Sequence, residues 1–172
     1  MFALRCTRKL LSRGAPSILA APVAPTTVLG DWYANIIFTR PEHLVVCLSE
    51  RTLLPVVVTA KDIQKLPNRV TAAVERMLHE IGIAPKMIAA EIREMEHGYL
   101  AVTADRKVLG SLNDFMFHFE HTYHERPGLS LHERACRLAE MPCGAIEYAF
   151  PSEATRSLFA SNQLIRAARG AA

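Results

Sequence analysis

Between Asp31 and Thr59 three runs of β-branched, aromatic and aliphatic residues follow one another with almost nothing between them. Asp31–Thr39 holds Trp32, Tyr33, Ile36, Ile37 and Phe38. Leu44–Ser49 follows the turn-forming Arg40-Pro41-Glu42-His43, and Leu53–Thr59 follows the charged turn at Glu50-Arg51. Joining parallel strands takes a dozen residues or more, so connections this short impose antiparallel hairpins. Leu44-Val45-Val46 and Val56-Val57-Val58 are unbroken apolar runs, as expected of strands covered on both faces. Pro55 has no N–H to offer a neighbour, so the third run is expected to start at a sheet edge.

Around this block the periodicity changes. Ala3–Thr7 reads as a short strand and Lys9–Ser12 as a helical turn, and Gly14–Val28 is a Pro/Ala-rich loop. After Asp62, Val70, Val74, Met77, Leu78 and Ile81 recur at helical spacing up to Gly82. Pro85 suits a first helical turn, with Ile88, Ile92 and Met95 as its stripe and His97-Gly98 as its end. Tyr99–Thr103 reads as a strand and Val108-Leu109 as a shorter one. Ser111, with Asp114 three residues on, predicts a helix start, and Leu112, Phe115, Met116, Phe119 and Tyr123 fall on one face of that helix. Ser130-Leu131-His132-Glu133 is a second capping box, opening a helix through Met141 that Pro142 stops. Pro151-Ser152 opens the last helix, with Leu158, Ile165 and Ala168 on one side and Gly170 at its end. The expected fold is α+β, a small antiparallel or mixed sheet with helices packed on it. It is read as a single domain over 1–172, with the Pro/Ala-rich loop at 14–28 and a helical C-terminal extension at 127–172.

Composition narrows the class. Half of the 172 residues are apolar, 22% are charged and the net charge is +3, which favours a folded core over disorder. The longest uncharged stretch, Gly14 to Gly30, is broken by three prolines, so no membrane span is expected. Fifteen arginines against five lysines favour forked recognition of phosphates or carboxylates. Base composition of the coding DNA explains the same bias. Cys6, Cys47, Cys136 and Cys143 form no Cys-x-x-Cys pair, so neither a zinc ribbon nor a redox site is signalled, and a reducing cytoplasm is the simplest compartment. The acid-free, arginine-bearing start mimics a transit peptide, but Leu4–Leu11 reads as part of the fold.

Three blocks carry a family resemblance. They are Leu4-Arg5-Cys6-Thr7-Arg8-Lys9-Leu10-Leu11, Leu29-Gly30-Asp31-Trp32-Tyr33-Ala34-Asn35, and Arg106-Lys107-Val108-Leu109-Gly110-Ser111-Leu112-Asn113-Asp114-Phe115. From about residue 3 to residue 125 the chain resembles an uncharacterised bacterial family known only as a domain of unknown function. Lys107 and Leu112 stand where that family usually has serine and methionine. The resemblance implies kinship and a bacterial origin, places Arg5-Cys6-Thr7 inside the domain, and implies no activity.

Two stretches carry candidate chemistry. A helix opening at Ser111 would leave N–H groups unpaired and carry about half a positive charge. With cations beside it and a glycine admitting close approach, Arg106, Lys107, Gly110 and Ser111 form a candidate anion cradle. The alternative is that Ser111 and Asp114 satisfy those amides and Gly110 occupies a turn of positive φ. The second stretch holds His118, His121 and His124, which project about 240°, 180° and 120° from Leu112, away from the apolar stripe, with Glu125 near. Imidazoles three apart can chelate a metal, but no His-Glu-x-x-His pairing or fourth ligand accompanies them, so no metal is assigned. Phe117 lies off the core stripe, as a partner contact or packed under the C-terminal extension. Trp32 and Tyr33 are expected in the core.

The leading function is a non-enzymatic binding or regulatory module whose region 106–126 engages a protein or phosphate-bearing partner, nucleic acid included. One alternative is a small metal-independent, toxin-like nuclease using His118, His121, His124 and Glu125 with arginine. Another is a structural subunit that forms a homodimer through its C-terminal helix. Whether the chain is an enzyme stays open, and no cofactor motif is present.

Overall fold

The structure, a computed structural model, describes residues 1–14, 18 and 23–170, the last five of these as backbone only. Five strands form one mixed sheet in the order β4-β3-β2-β1-β5. The hairpin block supplies β2 (Trp32–Ile37), β3 (Leu44–Ser49) and β4 (Pro55–Thr59). They pair antiparallel, Trp32 opposite Ser49 and Val45 opposite Val58. β4 lies on the edge, as Pro55 requires. The first strand, β1 (Phe2–Cys6), inserts between β2 and β5 (Gly98–Val102) and runs parallel to both, Leu4 meeting Trp32 on one side and Leu100 on the other. A parallel β1–β2 pair is open to this chain because a short helix, α1 (Arg8–Leu11), and the 14–28 segment separate the two strands. Within that segment, residues 15–17 and 19–22 lie outside the described residues.

Alternation along the strands sends side chains to two covered faces. Phe2, Leu4, Cys6, Trp32, Ala34 and Cys47 share the face under α2 (Leu66–Glu80), where Gly98 admits Phe2 and Pro67. A Cβ on Gly98 would come within 2.6 Å of the Phe2 ring, so this close approach requires glycine. α3 (Pro85–Met95) packs against α2, and Gly82 between them adopts φ +78°. The opposite face carries Arg5, Tyr33, Asn35 and Val46 and is covered by α4 (Arg106–Glu125), which packs on β2 and β3. α5 (Leu131–Ala139) closes the β4 edge against α2 and α4, opened by the Ser130–Glu133 capping box. Trp32 and Tyr33 are fully buried, each worth about 2–3 kcal/mol of apolar transfer. Among the described residues no helix is long and apolar enough to cross a membrane.

Three expectations need correction. Val108-Leu109 is helical, because α4 starts at Arg106 rather than Ser111. Asp105 is the N-cap, its carboxylate accepting the amides of Lys107 at 2.6 Å and Val108 at 3.3 Å. In the last helix, α6 (Pro151–Gly170), the buried positions with described side chains are Pro151, Ser152, Thr155 and Phe159, whereas Leu158 is half-buried and Ile165 exposed. The Ala168 side chain lies outside the described residues. Buried hydroxyls pull that face inward, as Thr155 donates to Thr52 at 2.8 Å in the β3–β4 turn. Phe117 is 68% exposed and does not pack under the C-terminal helices.

Candidate functional site

The first two sequence blocks meet in a polar network that builds the sheet. Arg5 reaches the buried Asp31 carboxylate at 2.7 Å, and Asp31 also accepts the Ala3 amide at 2.8 Å. Thr7 and Asn35 are linked at 2.7 Å where β1 ends beside the middle of β2. The Tyr33 hydroxyl accepts the amide of Asp105, immediately before α4, at 3.1 Å. These residues hold β1, β2 and α4 in register, and their polar atoms are spent on one another.

Along α4 the proposed anion cradle loses its geometry. Arg106 and Lys107 are exposed at the helix start, but Asp105 already occupies the first amides. Gly110 lies inside the helix with open space around it, and Ser111 is buried, its hydroxyl donating to the Lys107 carbonyl at 3.4 Å. From Gly110 to His121 the helix rises about 16 Å, so the two candidate stretches do not form one site.

The histidines diverge. His118 and His124 lie on opposite flanks of α4, while His121 points outward beside Glu125 at 3.6 Å. Among the described residues no three His, Cys, Asp or Glu side chains gather in a metal-holding group. A further pair, Cys136 and His132, stands 3.6 Å apart on α5 with Glu80 at 3.7 Å from the same ring nitrogen. Burial pushes the Cys136 thiol up to about 11, opposite to what an activated nucleophile needs.

What the fold does assemble lies around the C-terminal end of α4. Arg134, on α5 and only 5% exposed, stacks 4.6 Å over Tyr123 and donates to the carbonyls of Thr122, Arg126 and Leu129. It thereby satisfies carbonyls that the end of a helix leaves open. Two concavities adjoin at Arg134 and Leu129. One, of about 440 Å³, is bounded by Arg40 from the β2–β3 turn, Tyr123, His124 and Ser130. The other, of about 210 Å³, is bounded by His118, Thr122, Arg126 and Arg137. His118, Thr122 and Arg126 are four residues apart and so form one helical ridge, which Arg137 faces from α5. Among the described residues no carboxylate lines either concavity, and Arg40, Arg126 and Arg137 have no salt-bridge partner. The end of α4 carries about half a negative charge and Glu133 acts on Arg137 from the same helix, so the four arginines are offset only in part and the surface stays electropositive.

An apolar cavity of about 430 Å³ lies between α3 and α6, walled by Val28, Met87 and Phe159. Glu91 at its wall is spent on structure, both oxygens accepting amides, from Val28 at 2.7 Å and Leu29 at 3.0 Å.

Of the residues singled out in the sequence, His118 and His124 border the arginine concavities, and Phe117 adjoins His118 at 5.9 Å. Arg40, Arg134 and Arg137 were missed. They come from a turn and from another helix, and only the i, i+3 spacing of Arg134 and Arg137 hinted at a shared face. No curated protein and no solved structure matches the chain. A family model does match, over residues 3–154, a stretch that runs through α5 into the first turn of α6.

Proposed function

We infer, from the premise that the chain belongs to the family described as a domain of unknown function (DUF6933), that it is a non-enzymatic module binding a phosphate-bearing partner. The observation that carries this reading is the pair of adjoining concavities at the end of α4, lined by four arginines and two histidines and, among the described residues, no carboxylate. Arginine forks suit phosphate oxygens, and Arg134 frees its neighbours by taking over the helix-end carbonyls itself. The histidines that a nuclease would use as acid and base face different surroundings, so binding is better supported than cleavage. Four free cysteines accord with the reducing cytoplasm as its compartment.

The test is calorimetric titration with inorganic pyrophosphate in EDTA, on the wild type and on the Arg126→Ala/Arg137→Ala variant. Saturable heat in the first and its loss in the second is the expected result. No heat in the wild type rejects the reading, and fragments released from RNA in a parallel incubation would put the nuclease in its place.

A homodimer through α6 is the second reading, supported by Leu164 at 73% and Ile165 at 55% exposure on its later turns. Sedimentation at two concentrations tests it. A concentration-dependent dimer that Leu164→Glu dissolves is expected, and a monomer at both concentrations rejects it.

A further inference from the structure

We propose that the cavity between α3 and α6 binds an amphipathic monocarboxylate, its alkyl chain against Val28, Met87 and Phe159 and its carboxylate at Lys86. This site is separate from the arginine concavities and does not rest on the anion-binding reading. Its origin lies in the packing. α3 is held against α2, and α6 is tethered to the β3–β4 turn through Thr155. Toward α6, α3 turns the small side chains Ala84 and Ala90 beside the adaptable Met87, so a gap of about 430 Å³ stays open. Its size and mostly apolar wall are those of small-molecule sites, which span about 300–1,000 Å³.

Charge selects the head group. Glu91 turns both oxygens to the Val28 and Leu29 amides and lies in the field of the Arg51 guanidinium. Glu94 accepts the Thr26 hydroxyl and faces the Met1 ammonium at 3.5 Å. Lys86 is exposed and, among the described residues, has no acidic partner. It stands in the first turn of α3, where the helix dipole adds to its charge. One uncompensated cation, together with the neutral amides of Asn162 and Gln163 on the α6 wall, calls for a single negative charge. From Ala84 to Glu94 the wall follows about 15 Å of helix, long enough for a chain of about ten carbons.

The experiment is calorimetric titration of the full chain at neutral pH with decanoate, octanoate and decyltrimethylammonium, each below its micelle concentration. Decanoate should bind saturably, and octanoate about tenfold more weakly for its two missing methylenes. Decyltrimethylammonium, with the same chain and the opposite charge, should bind more weakly than decanoate. Lys86→Glu should weaken decanoate about five- to thirtyfold and strengthen decyltrimethylammonium. Ala90→Trp, or Gln163→Trp from the facing wall, should fill the cavity and abolish binding of both. Both positions reach solvent, and unchanged thermal melting confirms that the variants fold. Arg126→Ala/Arg137→Ala should leave decanoate binding unchanged. No saturable heat with decanoate overturns the proposal. Equal affinity for the two head groups overturns it too, as does decanoate binding that survives both tryptophan variants. Sedimentation of the same samples tests the competing occupant: a dimer that takes up decanoate only after Leu164→Glu dissolves it assigns the cavity to a second copy and overturns the proposal.

Discussion

Arg5 and Asp31 form an ion pair with two donors on one oxygen: Nε and Nη2 of the arginine reach Oδ2 of the carboxylate at 2.8 and 2.7 Å. Asp31 is 1% exposed and its other oxygen holds the Ala3 amide, so it joins the start of β2 to the middle of β1. Asp31→Ala strands a largely buried guanidinium and an amide together. It should lower the free energy of unfolding by about 3–5 kcal/mol in urea titration. A cost below about 1 kcal/mol would show that the pair does not hold the strands.

The start of α4 can be read by contrast. Asp105→Ala removes the cap from two amides and should cost about 1 kcal/mol. Arg106→Ala at the exposed next position should stay within about 0.5 kcal/mol. Equal effects of the two substitutions would contradict a helix capped at Asp105.

α6 is tethered through hydroxyls. Thr155 donates to Thr52, which is 2.8 Å from Ser49, whose oxygen in turn accepts the Leu54 amide. Thr155→Val should therefore cost about 1–2 kcal/mol. Ser152, buried one turn earlier with no partner for its hydroxyl among the described residues, should tolerate alanine with no loss. The reverse order of these two effects would refute the tether.

Glu91 gives a pH dependence with a defined sign. Burial raises its pKa above the ordinary glutamate value, and the amides of Leu29 and Val28 oppose that rise only in part. The folded state thus holds the proton more tightly than the unfolded chain, so this group's contribution to stability falls as pH rises from the ordinary glutamate range through the raised value. In Glu91→Gln that slope should vanish, and the stability gap between wild type and variant should narrow with rising pH. Melting curves across the acid range measure it; a gap that widens reverses the assignment.

Thiol labelling checks the cysteine chemistry. Burial raises Cys6 to about 12 and Cys136 to about 11, and Cys47 well above its ordinary value. At mildly alkaline pH iodoacetamide should therefore modify the half-exposed Cys143 first and the half-exposed Cys136 more slowly, with the buried Cys6 and Cys47 reacting only on unfolding. Rapid modification of Cys136 would instead mark the Cys136–His132 pair as chemically active.

The hairpins were legible because their information is local. Short turns dictate antiparallel pairing, and the edge position of β4 follows from one missing N–H at Pro55. The start of α4 was misplaced although a signal existed. Val108 falls about 40° from Leu112 on a helical wheel, within the same apolar stripe, and Asp105 is as good a cap as Ser111. Two capping patterns six residues apart competed, and the choice turned on a contact from another element, the Asp105 amide on the Tyr33 hydroxyl. Phe117 was placed off the apolar stripe, where it lies, but a helical wheel says nothing of whether another element arrives to cover it, so packing under the C-terminal extension stayed open until the structure left it exposed.

By itself the sequence determined the α+β class, the hairpin block, the stripes of α2, α3 and α4, the capping box of α5 and the burial of Trp32 and Tyr33. All of these depend on residues within one or two turns of each other. Tertiary structure alone decided that β1 enters the sheet between β2 and β5, and that Arg40, Arg126, Arg134 and Arg137 surround one helix end. The physical reason is that charges carry no periodicity of their own on a solvated surface. Where they converge depends on how the apolar faces beneath them pack, and that packing is settled between elements far apart in the chain.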